Sequence, residues 1–223
     1  MPFKDRSEAG IRLAAALERY RDSDAVVLAL PRGGVPVAAE VAGGLNAQLD
    51  LLLVRKIGLP GQPELAMGAV VDGVEPVVVR NEGVIRAARV SADEFERVRQ
   101  TEMREIERRR ARYFGRRLPL DVAGRTVIVV DDGIATGATI RAAVRGLRQR
   151  GAGRIVIATP VAPPDAVAEL RGEADDVVCL EQPADFGAIG YYYRDFRQLS
   201  DDEVIAALEA FDPGPGKAPG ARG

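Results

Sequence analysis

The chain has no histidine, a single cysteine and no long apolar run. Without histidine, imidazole acid–base catalysis, Ser-His and Cys-His nucleophile pairs and imidazole metal ligation are excluded. Any chemistry must come from carboxylates, Lys, Arg, Tyr, backbone amides or a hard metal ion. One cysteine forms no internal disulfide, and Cys179, in the apolar run DDVVCL, reads as core filler. No stretch approaches the roughly 20 apolar residues that span a bilayer. The first residues, MPFKDRSEAG, are charged and carry no signal-peptide core. Excess basic charge is also missing: 31 Lys and Arg against 33 Asp and Glu argue against general nucleic-acid binding. A cytoplasmic protein with no membrane and no nucleic-acid partner is the expectation.

What is present is an alternation of short apolar strands with helices over 223 residues. Helices are predicted at 7–20 (Ser7 as N-cap), 35–42, 91–114, 138–150, 165–170 and from Asp201. Strands are predicted at 25–30, 51–54, 126–130, 154–159 and 176–180, and two more near 68–71 and 76–79, paired antiparallel. The main strands are apolar without period-2 alternation, the pattern of a parallel sheet covered on both faces. The fold class is therefore α/β, a parallel sheet flanked by helices, as one domain over 1–211. Residues 82–118 read as an insertion, with a long helix opened by a Ser91/Glu94 capping box. The Gly- and Pro-rich segment 57–66 reads as an exposed loop. From Asp212, DPGPGKAPGARG reads as a disordered tail.

The most informative stretch is VIVVDDGIATGATI, 127–140. In open parallel sheets ligands bind beyond the C-terminal ends of the strands, where Asp131 and Asp132 fall. Small residues through 133–139 let backbone N–H groups approach an anion, and the following helix N-terminus favours a phosphate. Thr136 and Thr139 add hydroxyl donors. Carboxylates beside a phosphate suit ribose hydroxyls or a Mg²⁺ ion. A strand, a turn and an N-capped helix is the plainer reading of any one part of this stretch. No Walker A loop exists in the chain, and no Gly-x-Gly-x-x-Gly follows a strand.

VIVVDDGIATGAT resembles the phosphoribosyl pyrophosphate (PRPP) motif of type I phosphoribosyltransferases. LALPRGGVPVAAEVA, 28–42, is similar to the family's pyrophosphate loop, and VRKIG, 54–58, to the place where the family often sets a basic residue over the pyrophosphate. The phrases VRKIGLPGQPELAMGAV and YYYRDFRQLSDDEV look like a bacterial subgroup labelled only as phosphoribosyltransferases. The resemblance covers most of 26–204. It implies that Asp131 and Asp132 hold the ribose and a Mg²⁺ ion, and that Ala135, Thr136, Gly137, Ala138 and Thr139 wrap the 5-phosphate. It also implies that Arg32, Gly33, Gly34 and Lys56 hold the pyrophosphate. PRPP is then the substrate and a nitrogenous base the acceptor.

The acceptor stays open. Ala135 stands where the 6-oxopurine enzymes typically carry an acid, which speaks against that class without establishing adenine. Glu64, in the 57–66 loop, is a candidate for proton handling at the base and equally a solvent-facing glutamate. A hood at about 183–198 carries FGAIGYYYRDF. Phe186, Tyr191 and Tyr193 could stack on a heterocycle, and Asp195 could accept from an exocyclic amine. Core packing is the alternative for at least two of the three tyrosines. The RRRAR run at 108–112 is interleaved with Glu102, Glu105 and Glu107, so it reads as a solvated helix. Its apolar stripe of Phe95, Val98, Ile106 and Tyr113 either packs on the core or forms a contact in a homodimer. The rival to an enzyme is a PRPP-sensing regulatory module that does no chemistry.

Overall fold

The computed structural model describes residues 2–115 and 118–211, so the predicted tail lies outside the described residues. The first helix, α1 (Arg6–Ala16), is capped by Asp5 rather than Ser7: the Asp5 carboxylate accepts from the Glu8 N–H at 2.9 Å. Strand β1 (Val26–Ala29) follows, then α2 (Gly34–Leu45) and β2 (Gln48–Leu51). The expected strand at 51–54 is split. β2 ends at Leu51, and Val54 opens β3 (Val54–Leu59) of a second sheet with β4 (Gln62–Val71) and β5 (Val77–Arg80). The segment expected to be a loop is thus two antiparallel arms reversed at Pro60-Gly61, with Leu59 opposite Gln62. Pro then Gly with φ +81° suits a tight two-residue turn, so the Gly/Pro density marked a hairpin reversal and not an open loop.

The insertion holds α3 (Glu82–Ala87) and α4 (Ala92–Phe114). Ser91 and Glu94 satisfy each other's backbone donors in the predicted capping box. Phe95, Ile106 and Tyr113 are buried in the main core, with Val98 packed against it, so the apolar stripe is intramolecular. Arg108 and Arg109 both bond Glu105, and Arg110 turns inward to the Gly73 carbonyl at 2.9 Å. The rest alternates: β6 (Thr126–Val130), α5 (Ala138–Gln149), β7 (Arg154–Val161), α6 (Pro164–Arg171), β8 (Asp176–Glu181) and, after the hood, α7 (Asp201–Phe211). Cys179 is half-buried, its thiol pushed up to about 11 chiefly by burial, as befits a packing residue. Among the described residues no helix is long and apolar enough to cross a membrane.

The main sheet is all parallel in the order β2-β1-β6-β7-β8. β1, β6 and β7 are sandwiched between two apolar clusters, which is why their sequences do not alternate. From β1 the chain goes one way to β2 and later returns on the other side as β6. That reversal between β1 and β6 opens a crevice at their C-terminal ends. Ala29 is in register with Val130, so the two loops leave the sheet side by side.

Replacing Ser91 by Ala should cost about 1 kcal/mol, because the Glu94 N–H at the start of α4 loses its side-chain acceptor. Urea denaturation would register this as a lower midpoint at unchanged slope; an unchanged midpoint would mean that α4 is held by its packing alone.

Candidate active site

The residues that leave β1 and β6 interlock. A Cβ on Gly33 would lie 2.0 Å from the Asp132 Oδ2, and one on Gly34 would lie 2.7 Å from the Val130 carbonyl oxygen. The Pro31–Gly34 turn can therefore seat on the 131–132 step only without side chains at both positions. The Pro31–Arg32 peptide is cis. On the β6 side Gly137, at φ +70°, opens α5 with no side-chain cap. Ala135, Thr136, Ala138 and Thr139 are exposed around that helix start, leaving its first N–H groups to an anion.

The two aspartates differ. Asp131 is half-buried, and its Oδ1 accepts from the Asp132 N–H at 2.9 Å. Burial first, and the Asp132 charge second, hold its carboxyl well above the usual carboxylate range. Asp132 is buried, and its Oδ2 accepts from the Arg6 Nε at 2.8 Å. Burial also raises its carboxyl, with Arg6 pulling the other way. The Asp132 carbonyl accepts from the Tyr193 hydroxyl at 2.5 Å.

Arg6 escaped the sequence reading. It donates from Nη1 to the Arg197 carbonyl at 3.0 Å, and its guanidinium lies 4.0 Å above the Phe196 ring. One signal was available: Arg6 is a cation in the first turn of a helix, where the helix dipole disfavours it. The segment before it is also tied to the hood, because Phe3 exchanges backbone bonds with Tyr192 and Arg194 at 2.8 Å each.

Other predicted residues divide. Arg32 is about four-tenths exposed, its Nη1 3.9 Å from the Asp201 carboxylate at the start of α7. Lys56 does not end a parallel strand; it lies within β3. It still lines a cavity of about 190 Å³ together with Ala138 and Thr139, so it borders the same space as the α5 start. Glu64 lies in β4, and its side chain is outside the described residues. Tyr193 is a correction: its ring packs between Phe3 and Phe196, 6 % exposed, and presents no face to a base. Tyr191 is 78 % exposed, Phe186 stacks on Tyr192 at 5.5 Å, and Asp195 is exposed, accepting from the Arg197 N–H.

Among the described residues no group of three or more acidic, Cys or His side chains gathers to cage a metal. Mg²⁺ asks for less: one or two carboxylates, with waters and substrate phosphates completing its shell. Asp131 fits that requirement. Asp132, with one oxygen on Arg6, fits it less well.

The family model described as a phosphoribosyl transferase domain matches residues 4–195. Over 207 residues the chain is 48% identical to the protein named "Putative phosphoribosyl transferase Rv0571c" of Mycobacterium tuberculosis, covering 93% of this chain and 46% of that one. The chain thus spans about half the length of the curated relatives it matches. A stretch of 61 residues is 43% identical to a uracil phosphoribosyltransferase of Clostridioides difficile, covering 27% of this chain and 29% of that protein. The crystal structure of TT1426 from Thermus thermophilus superimposes with a TM-score of 0.85 at 44% identity, over 95% of this chain and 99% of that one.

Because the folded state raises the Asp131 pKa, it binds more protons than the unfolded chain as pH climbs above the ordinary value of 3.8. Stability therefore falls as pH rises through that window. Asp131→Asn removes the penalty and keeps the acceptor for the Asp132 N–H. It should raise the melting temperature in metal-free buffer at neutral pH, with the gain shrinking toward pH 4. A variant less stable than the parent at neutral pH would overturn this account.

Proposed function

Because the chain belongs to the phosphoribosyl transferase family, we propose that it transfers the 5-phosphoribosyl group from PRPP to a nitrogenous base and releases pyrophosphate. The observation that supports this most is the interlocking of the Pro31–Gly34 turn with the 131–139 loop at the sheet's switch point. PRPP is a phosphate, a ribose diol and a pyrophosphate in a row. The crevice offers, in a row, an open helix start, a carboxylate pair and a glycine turn carrying an arginine.

In this reading the N–H groups and hydroxyls of Ala135 to Thr139 hold the 5-phosphate. Asp131 accepts from the ribose hydroxyls, and Asp132, fixed by Arg6, supports that contact. As the C1–oxygen bond breaks, positive charge grows on the ribose and negative charge on the pyrophosphate. The carboxylates oppose the first charge; Arg32 and Lys56 oppose the second. Asp131 would hold a Mg²⁺ ion, which would supply charge neutralisation at the leaving group. The β3–β4 hairpin beside the site is suited to exclude water as a competing acceptor, and Glu64 in its sequence is the candidate for proton handling at the base. Tyr191 and Phe186 are the hood residues left to contact a base ring, with Asp195 as a polar neighbour. The partial likeness to uracil enzymes makes pyrimidines a required part of any acceptor panel.

Asp131→Asn should weaken Mg²⁺–PRPP binding at least about tenfold, one charge-assisted contact being worth about 1.5–3 kcal/mol. Calorimetric titration would measure it, and undiminished affinity would sink the assignment. Asp132→Asn is a poorer probe, since it strands the Arg6 charge at a cost of about 3–5 kcal/mol. Pyrophosphate release from Mg²⁺–PRPP, with purine, pyrimidine and other heterocyclic acceptors added singly, tests the reaction. Release that depends on an acceptor supports an enzyme; tight PRPP binding with no dependent release on any of them favours a PRPP-sensing module.

A further inference from the structure

The inserted helix α4 is not accounted for by that reading, yet its last turns reach the pyrophosphate side of the crevice. Two observations bring it there. A small cavity of about 30 Å³ is bordered by Pro31 of the glycine turn, Thr139 of the phosphate loop, Val54 of β3 and Arg109 of α4. Separately, Asp201, the acidic neighbour of Arg32, is held by the same end of α4: it accepts from the Tyr113 hydroxyl at 2.6 Å and forms an ion pair with the Arg112 Nε at 2.9 Å.

The charges around this wall are unevenly matched. Arg55, on β3, bonds Glu102 at 2.7 Å. Glu105, by contrast, is shared between Arg108 and Arg109, with its carboxyl lowered to about 2 by both. One carboxylate against two guanidinium groups leaves a positive charge over. Arg108 is on the solvent side, at 61% side-chain exposure, while Arg109 is at 32% and lines the cavity. Glu105 takes only the Nε of Arg109, so the fork of that guanidinium is the part left to aim at an anion.

Resting on the phosphoribosyl transfer proposed above, we infer that Arg109 is a further pyrophosphate-binding residue, supplied by the insertion, and that Tyr113 is a positioning residue that holds Asp201 behind Arg32. The insertion then forms one wall of the leaving-group site. It acts on ligands that carry a pyrophosphate and not on those that carry only the ribose and 5-phosphate.

That difference supplies the test. Calorimetric affinities for PRPP, inorganic pyrophosphate and ribose 5-phosphate, each with Mg²⁺, would be compared for the parent, Arg109→Gln, Arg109→Lys and Arg104→Gln. Arg104 lies on the same helix, is exposed and bonds the Gln100 carbonyl, so it controls for net charge. Arg109→Gln should lose roughly tenfold for PRPP and for pyrophosphate, keep ribose 5-phosphate unchanged, and be partly rescued in Arg109→Lys. Arg104→Gln should match the parent throughout. Tyr113→Phe should weaken the two pyrophosphate ligands by a smaller factor, again sparing ribose 5-phosphate. Equal losses for all three ligands, or losses as large in Arg104→Gln, would overturn the inference, as would no loss in Arg109→Gln. A parent that binds none of the ligands would instead refute the PRPP reading on which the inference rests.

Discussion

The contact on which the crevice depends is the buried ion pair of Arg6 with Asp132, whose side chains are only 10% and 11% exposed. Two charges out of water are costly unless each is further satisfied. Here they are. Arg6 also bonds the Arg197 carbonyl and stacks on Phe196, and the Asp132 backbone receives the Tyr193 hydroxyl. The pair thereby ties the end of β6 to the first helix and to the hood, three parts of the chain that lie far apart in sequence. It also divides the two aspartates: Asp132 is committed to the fold, while burial and the Asp132 charge hold the Asp131 carboxyl above the usual range. Under the proposed function, that cost is one that a bound ligand would relieve.

The second constraint is topological. With β1 between β2 and β6, the chain must reverse direction beside β1, and only there do two loops diverge from adjacent strands. Gly33 and Gly34 fill the space that divergence leaves, one against a carboxylate and one against a carbonyl. Their small size follows from the neighbour they touch, 99 residues later in the chain for Asp132 against Gly33.

What was legible in the sequence follows the same division. Apolar runs, capping residues and the DDGIATGAT stretch are local, and β6, the α5 start and the α4 capping box stand within a residue of where the pattern put them. Contacts across the chain left almost no local trace. Arg6 reaches a partner 126 residues away, and its one clue was an unfavourable place on the helix dipole. Tyr193 looked like a base-stacking residue because its neighbours are aromatic; its burial depends on Phe3, which no local pattern links to it. The hairpin was misread because glycine and proline mark both loops and tight reversals, and only the pairing of Val54–Leu59 with Gln62–Val71 tells them apart.

Lys56 shows why such a misreading need not take a side chain away from the start of α5. Moving it from the end of a parallel strand to an antiparallel arm changes its support but not the space it borders, since β3 packs against α5 and both line one cavity. The same holds for the opposite face of β3, where Arg55 is drawn to α4 through Glu102. Adjacent residues on a strand point to opposite faces, so Arg55 ties the hairpin to the insertion while Lys56 borders the cavity it shares with the start of α5. A shift of the hairpin would therefore move the Glu102 partner and the cavity wall together.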